Sequence, residues 1–441
     1  MQAPHNCHVM AKPTGSVCNL DCSYCFYLEK HQLYPERQTN WRMSDDTLSS
    51  YIKQTIEAQS NNHVQFTWQG GEPTMMGLAF FEKAMQLCEQ YGKGKKLEHT
   101  FQTNGILLND AWCEFFKKHH FLVGVSIDGP QDLHDAYRVT RSGKQTHAQV
   151  MQGIELLKKH GVEFNTLTVV NNENVKHPKR VYQHLKEIGS TYIQFIPLVE
   201  RAKQTCSETD LKLVLPDEPL AEVTSWSVPS QAYGEFLCDI FDVWVRKDVG
   251  SIFVNMFDST LSAWCGQQSG MCHFTERCGH AFALEANGDL YNCDHYVYPE
   301  HRLGNIHHKS ISECNNSQQA IEFGLQKQTT LTPDCKKCPF QFACNGGCPK
   351  HRFERSSSGH PGHNYFCQGY KKFFEYSAQY MKEMRRLLSV GRFADEIMWA
   401  LAYQDVKLTA VVSKSSVTIG RNQSCSCGSG IKYKHCCGVR R

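Results

Sequence analysis

Three cysteines near the start of the chain have a type and spacing that suit iron chemistry. Cys18, Cys22 and Cys25 follow the pattern C-x3-C-x2-C, and Phe26 and Tyr27 come directly after the third. Thiols at this spacing can hold three irons of a four-iron cube and leave the fourth iron without a protein ligand. Such an open iron can bind a small molecule, as a catalytic zinc does. A zinc site and three incidental cysteines are the alternative interpretations.

A second cysteine field lies between Cys272 and Cys367. Its core, from Cys335 to Cys348, reads C-x2-C-x5-C-x3-C and contains Gly346 and Gly347, which let the backbone fold closely around a cluster. Zinc ribbons are the alternative, but ribbons usually show paired C-x2-C knuckles and the core has one. The field therefore favours iron–sulfur ligation.

One carboxylate stands directly beside a cysteine of this field, because Asp294 follows Cys293. Aspartates in loops often cap turns, which is the simpler role. Burial and a neighbouring anionic cluster would both disfavour the charged form of this carboxylate and so raise its pKa. A carboxylate with a raised pKa can act as a general base.

The elements that must position these residues occupy the first two hundred residues. Short β-rich runs alternate there with helical segments, which predicts a parallel sheet, open or curved into a partial barrel. The predicted strands are 9–12, 64–68, 98–101, 122–127, 164–170 and 192–196, and the predicted helices lie near 44–58, 78–91, 109–119, 146–160 and 177–188.

Polar turns follow several of these strands. Gly70-Gly71-Glu72 follows the second strand, and Ser126 and Asp128 close the fourth. A glycine pair lets a backbone approach a ligand closely, and the glutamate beside it can accept hydrogen bonds from an ammonium group. A plain turn and simple strand-end caps are the alternative roles. Because reactive groups gather at the carboxyl ends of parallel strands, the turns and the first cysteines are expected to share one site.

Bulk properties limit the class of protein. The chain has 441 residues, of which 41% are hydrophobic and 21% charged, which is typical of globular proteins of two or three units. A formal charge of +3 is too small to favour nucleic acid as the main partner. Twenty-two cysteines without an apolar signal segment predict a cytoplasmic protein whose reduced thiols bind metal. Oxygen attacks exposed iron–sulfur clusters, so an anaerobic or strongly reducing cell is expected.

The cysteine loop and the segment Gly70–Thr74 together resemble the radical S-adenosylmethionine superfamily. The resemblance implies a (β/α)6 partial TIM barrel, within the α/β class. It also implies that the amino and carboxylate groups of S-adenosylmethionine chelate the open iron, with the turn Gly70-Gly71-Glu72 on the amino group. On the same pattern, Ser126 and Arg138 contact the carboxylate or the ribose, and Tyr27 lies near the adenosyl group.

The second cysteine field resembles the SPASM extension of radical enzymes that modify peptides. The resemblance implies two auxiliary four-iron clusters, three clusters in all, and each auxiliary cluster has four protein ligands and carries electrons. The first would be held by Cys272, Cys278, Cys293 and Cys348. The second would be held by Cys335, Cys338, Cys344 and Cys367. The other cysteines before the tail are expected to be small buried apolar residues, namely Cys7, Cys88, Cys113, Cys206, Cys238, Cys265 and Cys314.

The segment Cys293–Tyr296 is similar to the anaerobic sulfatase-maturating enzymes, as are Phe66–Thr74, Ile193–Pro197 and Gly346–Arg352. That resemblance implies that a 5′-deoxyadenosyl radical removes hydrogen from Cβ of a serine or cysteine. Asp294 then takes the side-chain proton, an auxiliary cluster takes the electron, and the product is Cα-formylglycine. The implied substrate is an unfolded sulfatase polypeptide with a Cys/Ser-x-Pro-x-Arg motif, and the implied electron donor resembles flavodoxin or ferredoxin.

Two other functions stay open. A radical peptide maturase that forms thioether or carbon–carbon crosslinks would share the chemistry, but such enzymes often carry an N-terminal peptide-recognition domain, and seven residues precede the first strand here. A non-catalytic iron–sulfur or zinc protein, acting as electron carrier or scaffold, is the other. The open-site cysteine loop and the Gly-Gly-Glu turn argue against that function.

The C-terminal tail carries a third cysteine group. Cys425, Cys427, Cys436 and Cys437 lie in a segment that is similar to the SEC-C zinc motif, with His435 as the alternative fourth ligand. Four soft ligands on so short a segment suit one structural Zn²⁺, because the segment cannot build a core. The tail is basic, so it is either a docking element for a translocase, ribosome or chaperone or a solvated zinc-stabilised end.

These features predict five regions. They are a radical S-adenosylmethionine barrel at 1–200, a bridging region at 201–270, a SPASM domain at 271–388, a linker at 389–420 and a zinc motif at 421–441. Within the bridge, an amphipathic run from Tyr233 to Arg246 predicts a helix whose aromatic stripe is core, with a substrate wall as the alternative.

Overall fold

The computed structural model describes residues 6–34, 41–203, 213–215, 217–402 and 432. The chain divides into two compact units, Met1–Asp405 and Val406–Arg441. Of the second unit, the described residues include Lys432 alone, so the zinc-motif residues Cys425, Cys427, His435, Cys436 and Cys437 lie outside them. All described strands and helices belong to the first unit.

Six parallel strands form the centre of one large sheet and follow one another in chain order. They are β1 (His8–Ala11), β2 (His63–Trp68), β3 (Lys96–Thr103), β4 (Leu122–Ser126), β5 (Phe164–Val170) and β6 (Tyr192–Pro197). The helices between them are α1 (Asp45–Glu57), α2 (Leu78–Tyr91), α3 (Asp110–Lys118), α4 (Gln131–His134), α5 (His147–Lys159) and α6 (Pro178–Glu187). The predicted alternation of strands and helices is confirmed, and α4 is a short addition to it.

Local sequence explains why these elements form and pack. Helix α1 begins after Ser44, whose hydroxyl accepts a hydrogen bond from the Thr47 N–H at 3.2 Å, as a helix N-cap does. From the buried face of α1, the Tyr51 ring packs edge-on against Phe66 and Trp68 of β2. Each such aromatic contributes about 1.5–3 kcal/mol on burial, so this apolar layer fixes the strand ends that carry the polar turns.

The sheet continues beyond the six predicted strands on both sides. Beyond β6 it gains β9 (Phe253–Val254), and beyond β1 it gains β10 (Ala281–Leu284), β11 (Asp289–Tyr291) and β12 (Arg302–Asn305). Strand β10 is parallel to β1, with Val9 opposite Phe282 and Ala11 opposite Leu284, whereas β11 and β12 are antiparallel. Part of the second cysteine field is therefore built directly onto the first strand of the barrel.

The remaining elements follow the sixth strand and the second cysteine field. Two short antiparallel pairs are β7 (Arg201–Ala202) with β8 (Glu222–Val223), and β13 (Glu354–Arg355) with β14 (Pro361–His363). The helices are α7 (Ser230–Lys247), α8 (Asn255–Trp264), α9 (Ile311–Asn315), α10 (Gln318–Thr329), α11 (Pro333–Lys337), α12 (Gln341–Cys344), α13 (Cys367–Ser389) and α14 (Glu396–Ala402).

Helices α7 and α13 pack at very close range. A Cβ on Gly234 of α7 would lie 2.5 Å from the carbonyl oxygen of Gly369 of α13, so the contact requires glycine on both helices. The aromatic residues Phe236, Phe241 and Trp244 of α7 are at most 1% exposed. The stripe predicted in the bridging region is therefore core.

The stretch 389–420 was expected to be a linker, but its first part is folded. Helix α14 lies within it, and Ile397 of that helix is fully buried. The helix has only seven residues, about two turns, and nearly all of them are apolar, so no helical periodicity could be recognised in the sequence. Within the described residues, none of the helices combines the length and the apolar character needed to cross a membrane.

Candidate active site

The first cysteine loop lies at the carboxyl edge of the sheet. Cys18, Cys22 and Cys25 follow β1, and the N–H of Asp21 between them donates to the carbonyl of Val139 at 2.9 Å. The loop is thereby tied to the segment that follows β4. The structure thus places the loop where the sequence pattern predicted it, beside the ends of several strands.

The three thiols form one electrostatic group that suits a cluster. Burial, Glu72 and the other two thiols raise the pKa of Cys18 to about 12, which shows that Cys22 and Cys25 lie close enough to repel a Cys18 thiolate. Iron removes this penalty because it binds the thiolate form. Among the described residues, no three cysteine, histidine or acidic side chains converge on one point as ligands of a single ion do. A cube, whose ligands bind separate irons, does not require such convergence.

The glycine turn after β2 packs against the backbone of the cysteine loop. A Cβ on Gly71 would lie 2.0 Å from the carbonyl oxygen of Val17, and the Gly71 N–H donates to the carbonyl of Gly15 at 2.7 Å. Gly70 has φ +135°, which a residue with a side chain rarely adopts. Both glycines are therefore needed to bring this turn onto the loop that carries the cysteines.

Glu72, the third residue of that turn, is fully buried and saturated with protein donors. Its carboxylate accepts hydrogen bonds from the N–H and hydroxyl of Thr74 at 3.0 and 2.6 Å, from the hydroxyl of Thr103 at 2.9 Å and from the N–H of Asn104 at 2.8 Å. Burial nevertheless raises the pKa of Glu72 above its ordinary value. In this arrangement Glu72 joins the turns after β2 and β3.

Strand β4 ends in a buried ion pair. Asp128 accepts hydrogen bonds from Nε and Nη2 of Arg138 at 2.9 and 3.2 Å, and also from the hydroxyl of Tyr24 in the cysteine loop. Ser126 accepts a hydrogen bond from Gln102 at 3.0 Å. The predicted site residues Ser126 and Arg138 are thus both at this edge, and Asp128 couples Arg138 to the cysteine loop.

Tyr27 sits between the cysteine loop and the second cysteine field. Its side chain is 4% exposed, its hydroxyl donates to the fully buried Glu285 after β10, and the ammonium of Lys12 lies 3.8 Å from the centre of its ring. A cation over an aromatic face is stabilised, more so when it is desolvated. Tyr27 therefore helps to fix the position of Lys12.

Asp294 begins a short 3-10 turn after β11 and forms an ion pair with Lys12, the residue that follows β1. Burial raises the pKa of Asp294, but Lys12, His295 and Lys350 outweigh burial, so the pKa is lowered. The expectation of a raised pKa rested on burial and a neighbouring cluster and took no account of a lysine from the first strand, whose charge acts in the opposite direction. The lowered pKa keeps the carboxylate ionised and able to accept a proton.

The first auxiliary set of cysteines is grouped around buried cations. The thiols of Cys272 and Cys278 both raise the pKa of Cys348, and those of Cys348 and Cys272 raise that of Cys293. Lys327 lies beside them, fully buried, with its ammonium donating to the carbonyl of Cys272 at 2.8 Å. A buried cation beside three of these thiols, those of Cys272, Cys278 and Cys348, fits an anionic iron–sulfur cluster.

The second auxiliary set shows the same mutual effect. Burial raises the pKa of Cys344 to about 12, with Cys367, Cys335 and Cys338 adding to it. Nδ1 of His363 lies 3.7 Å from Sγ of Cys335, a distance that suits an N–H···S hydrogen bond to a cluster ligand. Within each of the two sets that the sequence resemblance implies, thiols thus lie close enough to affect one another's pKa.

Cysteines outside these groups are mostly buried. Within the described residues, Cys7, Cys88, Cys113, Cys238 and Cys314 are buried as expected. Cys265 is only partly buried, so the expectation was wrong for it, because it lies just beyond the end of α8, where packing is incomplete. Cys206 lies outside the described residues.

Several residues of the site were not identified from the sequence. Lys12, Tyr24 and Glu285 join the three parts of the site, and Lys350 pairs with Glu200 beside them. Of these residues, only Lys12 could have been identified from the sequence, because a lysine directly after a buried strand lies where reactive groups gather. The partners of the others come from distant segments that no local pattern connects.

Three family models match the chain. The model of the Radical SAM superfamily matches residues 13–185, and that of an iron–sulfur cluster-binding domain, SPASM, matches residues 272–339. The model of the SEC-C motif matches residues 421–438. The matches include the first cysteine loop, the tail cysteines and, of the second cysteine field, the part from Cys272 to Cys338.

Known proteins resemble the chain over most of its length. The serine-type anaerobic sulfatase-maturating enzyme of Bacteroides thetaiotaomicron is 47% identical over 401 residues, which cover 91% of this chain and 96% of that enzyme. The cysteine-type enzyme of Clostridium perfringens is 34% identical, with 84% of this chain and 95% of that enzyme covered. The solved structure of native anSMEcpe with bound AdoMet and Cp18Cys peptide matches with a TM-score of 0.75 and 32% identity, over 86% of this chain and 98% of that one.

Proposed function

Because this chain belongs to the anaerobic sulfatase-maturating enzyme family of the radical S-adenosylmethionine superfamily, we propose that it oxidises a serine or cysteine in a sulfatase polypeptide to Cα-formylglycine. It is a radical S-adenosylmethionine oxidoreductase, and its cofactors are S-adenosylmethionine and four-iron clusters. The observation that supports the assignment most directly is the ion pair of Asp294 with Lys12, which brings a base from the second cysteine field to the end of β1.

Residues from each part of the site would hold these cofactors. Cys18, Cys22 and Cys25 would hold the cluster with the open iron. The two auxiliary clusters, which make three in all, would be held by Cys272, Cys278, Cys293 and Cys348 and by Cys335, Cys338, Cys344 and Cys367. S-adenosylmethionine would contact Ser126, Arg138, Tyr27 and the glycine turn Gly70-Gly71-Glu72. The turn would contribute backbone groups, because the Glu72 carboxylate already accepts four protein hydrogen bonds.

The chemistry is a two-electron oxidation. When bound, the cofactors supply a 5′-deoxyadenosyl radical, which removes one hydrogen atom from Cβ, and clusters that take up one electron. Asp294 accepts the proton of the substrate hydroxyl or thiol, and Lys12 balances the charge of the carboxylate and fixes its direction. Loss of one hydrogen atom, one proton and one electron converts serine to the aldehyde. Cysteine gives a thioaldehyde, which water hydrolyses to the same product.

The remaining partners follow from this chemistry. A flavodoxin- or ferredoxin-like protein would deliver the electron that starts each turnover, and the thiols point to a reduced cytoplasm as the compartment. The tail would bind one Zn²⁺ through Cys425, Cys427, Cys436 and either Cys437 or His435. Its positive charge would suit a translocase, a ribosome or an acidic chaperone that presents unfolded sulfatase.

The test uses the whole protein, reconstituted with iron and sulfide in the absence of oxygen. S-adenosylmethionine, a reductant and a peptide containing Ser-x-Pro-x-Arg or Cys-x-Pro-x-Arg are added, and mass spectrometry searches for the aldehyde. The serine peptide is expected to be converted, since the serine-type relative is the more similar of the two named enzymes. Formation of 5′-deoxyadenosine without an aldehyde on either peptide would contradict the proposal and favour a crosslinking maturase.

A further inference from the structure

Lys30 is a buried cation that the proposed mechanism does not use. It lies in the 3-10 turn Leu28–Leu33, which follows the cysteine loop, and it is 2% exposed. Its ammonium lies 3.1 Å from the centre of the Tyr298 ring. Across the part of the chain that the structure describes, no oxygen accepts a hydrogen bond from this ammonium, whereas Lys12 pairs with Asp294 and Lys350 with Glu200.

Such an arrangement is costly for a fold. A buried ammonium without an oxygen acceptor loses its hydration, and the Tyr298 ring offsets only part of that loss, whereas apolar replacements of buried charges are often neutral or stabilising. Burial and the neighbouring Lys350 lower the pKa of Lys30 to about 7, although Glu200, Asp294 and Glu29 oppose the shift. A cation kept in this position therefore indicates a ligand that supplies the missing acceptor.

Lys30 lies beside residues of a surface cleft and is also within reach of the charge of Asp294. Tyr298, whose ring contacts the Lys30 ammonium, also lines a partly open cleft of about 600 Å³. Gln32 and Leu33, from the same turn as Lys30, line this cleft as well. The charge of Asp294 also acts on Lys30. A polypeptide that occupies this cleft and places one residue at Asp294 would therefore come close to the ammonium.

The chemistry of the substrate identifies the acceptor. Of the required residues in Cys/Ser-x-Pro-x-Arg, the arginine is itself a cation, and proline has no polar side chain. The acceptors that every such peptide shares are its main-chain carbonyl oxygens, which are strong hydrogen-bond acceptors. Given the proposed function, we propose that the Lys30 ammonium donates a hydrogen bond to a main-chain carbonyl of the sulfatase peptide and so holds the reactive residue beside Asp294.

Binding that depends on this ammonium has a characteristic pH dependence. The charged groups around Lys30 are Glu29 on its own turn, Glu200, Lys350 and Asp294. The pKa of Asp294 is lowered, and that of the facing Tyr298 is raised, so neither group titrates near pH 7. The ammonium loses its proton as the pH rises through about 7, and peptide affinity should fall over that range.

The test compares Lys30→Met with wild type as reconstituted holoenzymes. A fluorescein-labelled Ser-x-Pro-x-Arg peptide is titrated in the presence of S-adenosylmethionine without reductant, so no turnover is needed. Because a hydrogen bond from a charged group is strong, the variant should bind the peptide about 10- to 100-fold more weakly at pH 6.5 and show a flat pH profile. Lys53→Met, on the exposed face of α1, is the matched control and should bind like wild type.

Thermal stability separates binding from a structural role. If Lys30 binds substrate, Lys30→Met should melt no lower than wild type, because it removes an unpaired buried charge. A lower melting temperature of Lys30→Met with unchanged peptide affinity would overturn the proposal. So would equal affinity and equal melting temperature in Lys30→Met and wild type, provided that the wild-type enzyme makes formylglycine. A wild-type enzyme that binds the peptide but forms no aldehyde would instead contradict the proposed function.

Discussion

The carboxylate of Asp294 and the ammonium of Lys12 form an ion pair between a turn of the second cysteine field and the end of the first strand. Strand β10 lies parallel to β1 in the same sheet, with the antiparallel β11 beside it, and the segment that follows β11 returns to the residue directly after β1. Lys12 is also 1% exposed, so its charge is fully desolvated and strongly coupled to that of Asp294.

Asp294→Asn should abolish the proton-accepting step and leave the clusters intact. Loss of a general base typically lowers a rate by about 10²–10⁴-fold. Formylglycine should fall by that factor, while 5′-deoxyadenosine, which forms before the proton is taken, should still be detected by chromatography. Asp46→Asn, at an exposed position of α1, is the control. A wild-type yield of formylglycine from the Asp294→Asn variant would remove this carboxylate from the mechanism.

A double-mutant cycle tests whether Lys12 acts through Asp294. Lys12→Met leaves the carboxylate without its cation, so formylglycine formation should fall, and Lys12→Arg should recover part of it. If the two residues act as one unit, adding Lys12→Met to Asp294→Asn should cost little more, giving a coupling of about 0.5–3 kcal/mol in transition-state free energy. Additive losses in the turnover assay would show that Lys12 has a separate role.

Gly71→Ala should damage the cluster with the open iron and spare the auxiliary clusters. The added methyl group would lie 2.0 Å from the Val17 carbonyl oxygen, so the backbone of the cysteine loop must shift. Iron content after reconstitution should fall by about one third, and the variant should not cleave S-adenosylmethionine. Gly94→Ala is a suitable comparison. Its φ of +84° imposes strain of about 1 kcal/mol on a residue with a side chain, but no atom lies within 4 Å of the added Cβ, so the variant tests strain without a clash. Full iron content in Gly71→Ala would argue against this view of the turn.

Arg138→Gln should destabilise the barrel by leaving Asp128 buried and unpaired. Breaking one side of a buried ion pair costs about 3–5 kcal/mol, which should appear as a lower melting temperature under anaerobic conditions. Adding Asp128→Asn removes the buried carboxylate charge that has lost its partner, so the double variant should melt at a higher temperature than Arg138→Gln. If the double variant melts lower instead, the two residues do not act as a pair. Affinity for S-adenosylmethionine should fall in both proteins.

Removal of residues 406–441 tests the proposed zinc motif. The truncated protein ends after the first compact unit and should lose one zinc per chain in elemental analysis, while its iron content stays the same. Formylglycine formation on a short peptide should be unchanged, because the site lies in the first unit. Retention of the zinc would show that the metal is bound elsewhere. The variant Cys425→Ser with Cys427→Ser provides the same test without shortening the chain.

Cysteine spacing and the strand-end turns were sufficient to predict the barrel, the three cysteine groups and the family resemblance. These signals are local: the alternation of β-rich runs and helices lies within the first two hundred residues, and Cys18, Cys22 and Cys25 are close in sequence. The two groups of auxiliary cysteines followed from resemblance, and the mutual effects of their thiols on the pKa values agree with that grouping.

The tertiary structure decided what depends on contacts between distant segments. The fold brought Asp294 to Lys12, whose charge lowers the Asp294 pKa against the effect of burial. The same holds for Lys30, whose partner Tyr298 is far away in sequence, and for Glu72, whose protein donors come partly from the turn after β3. The sequence by itself determined which side chains could do the chemistry, because spacing limits cluster ligation. Only the fold decided their charge states, because a pKa depends on burial and on neighbours that no local pattern reveals.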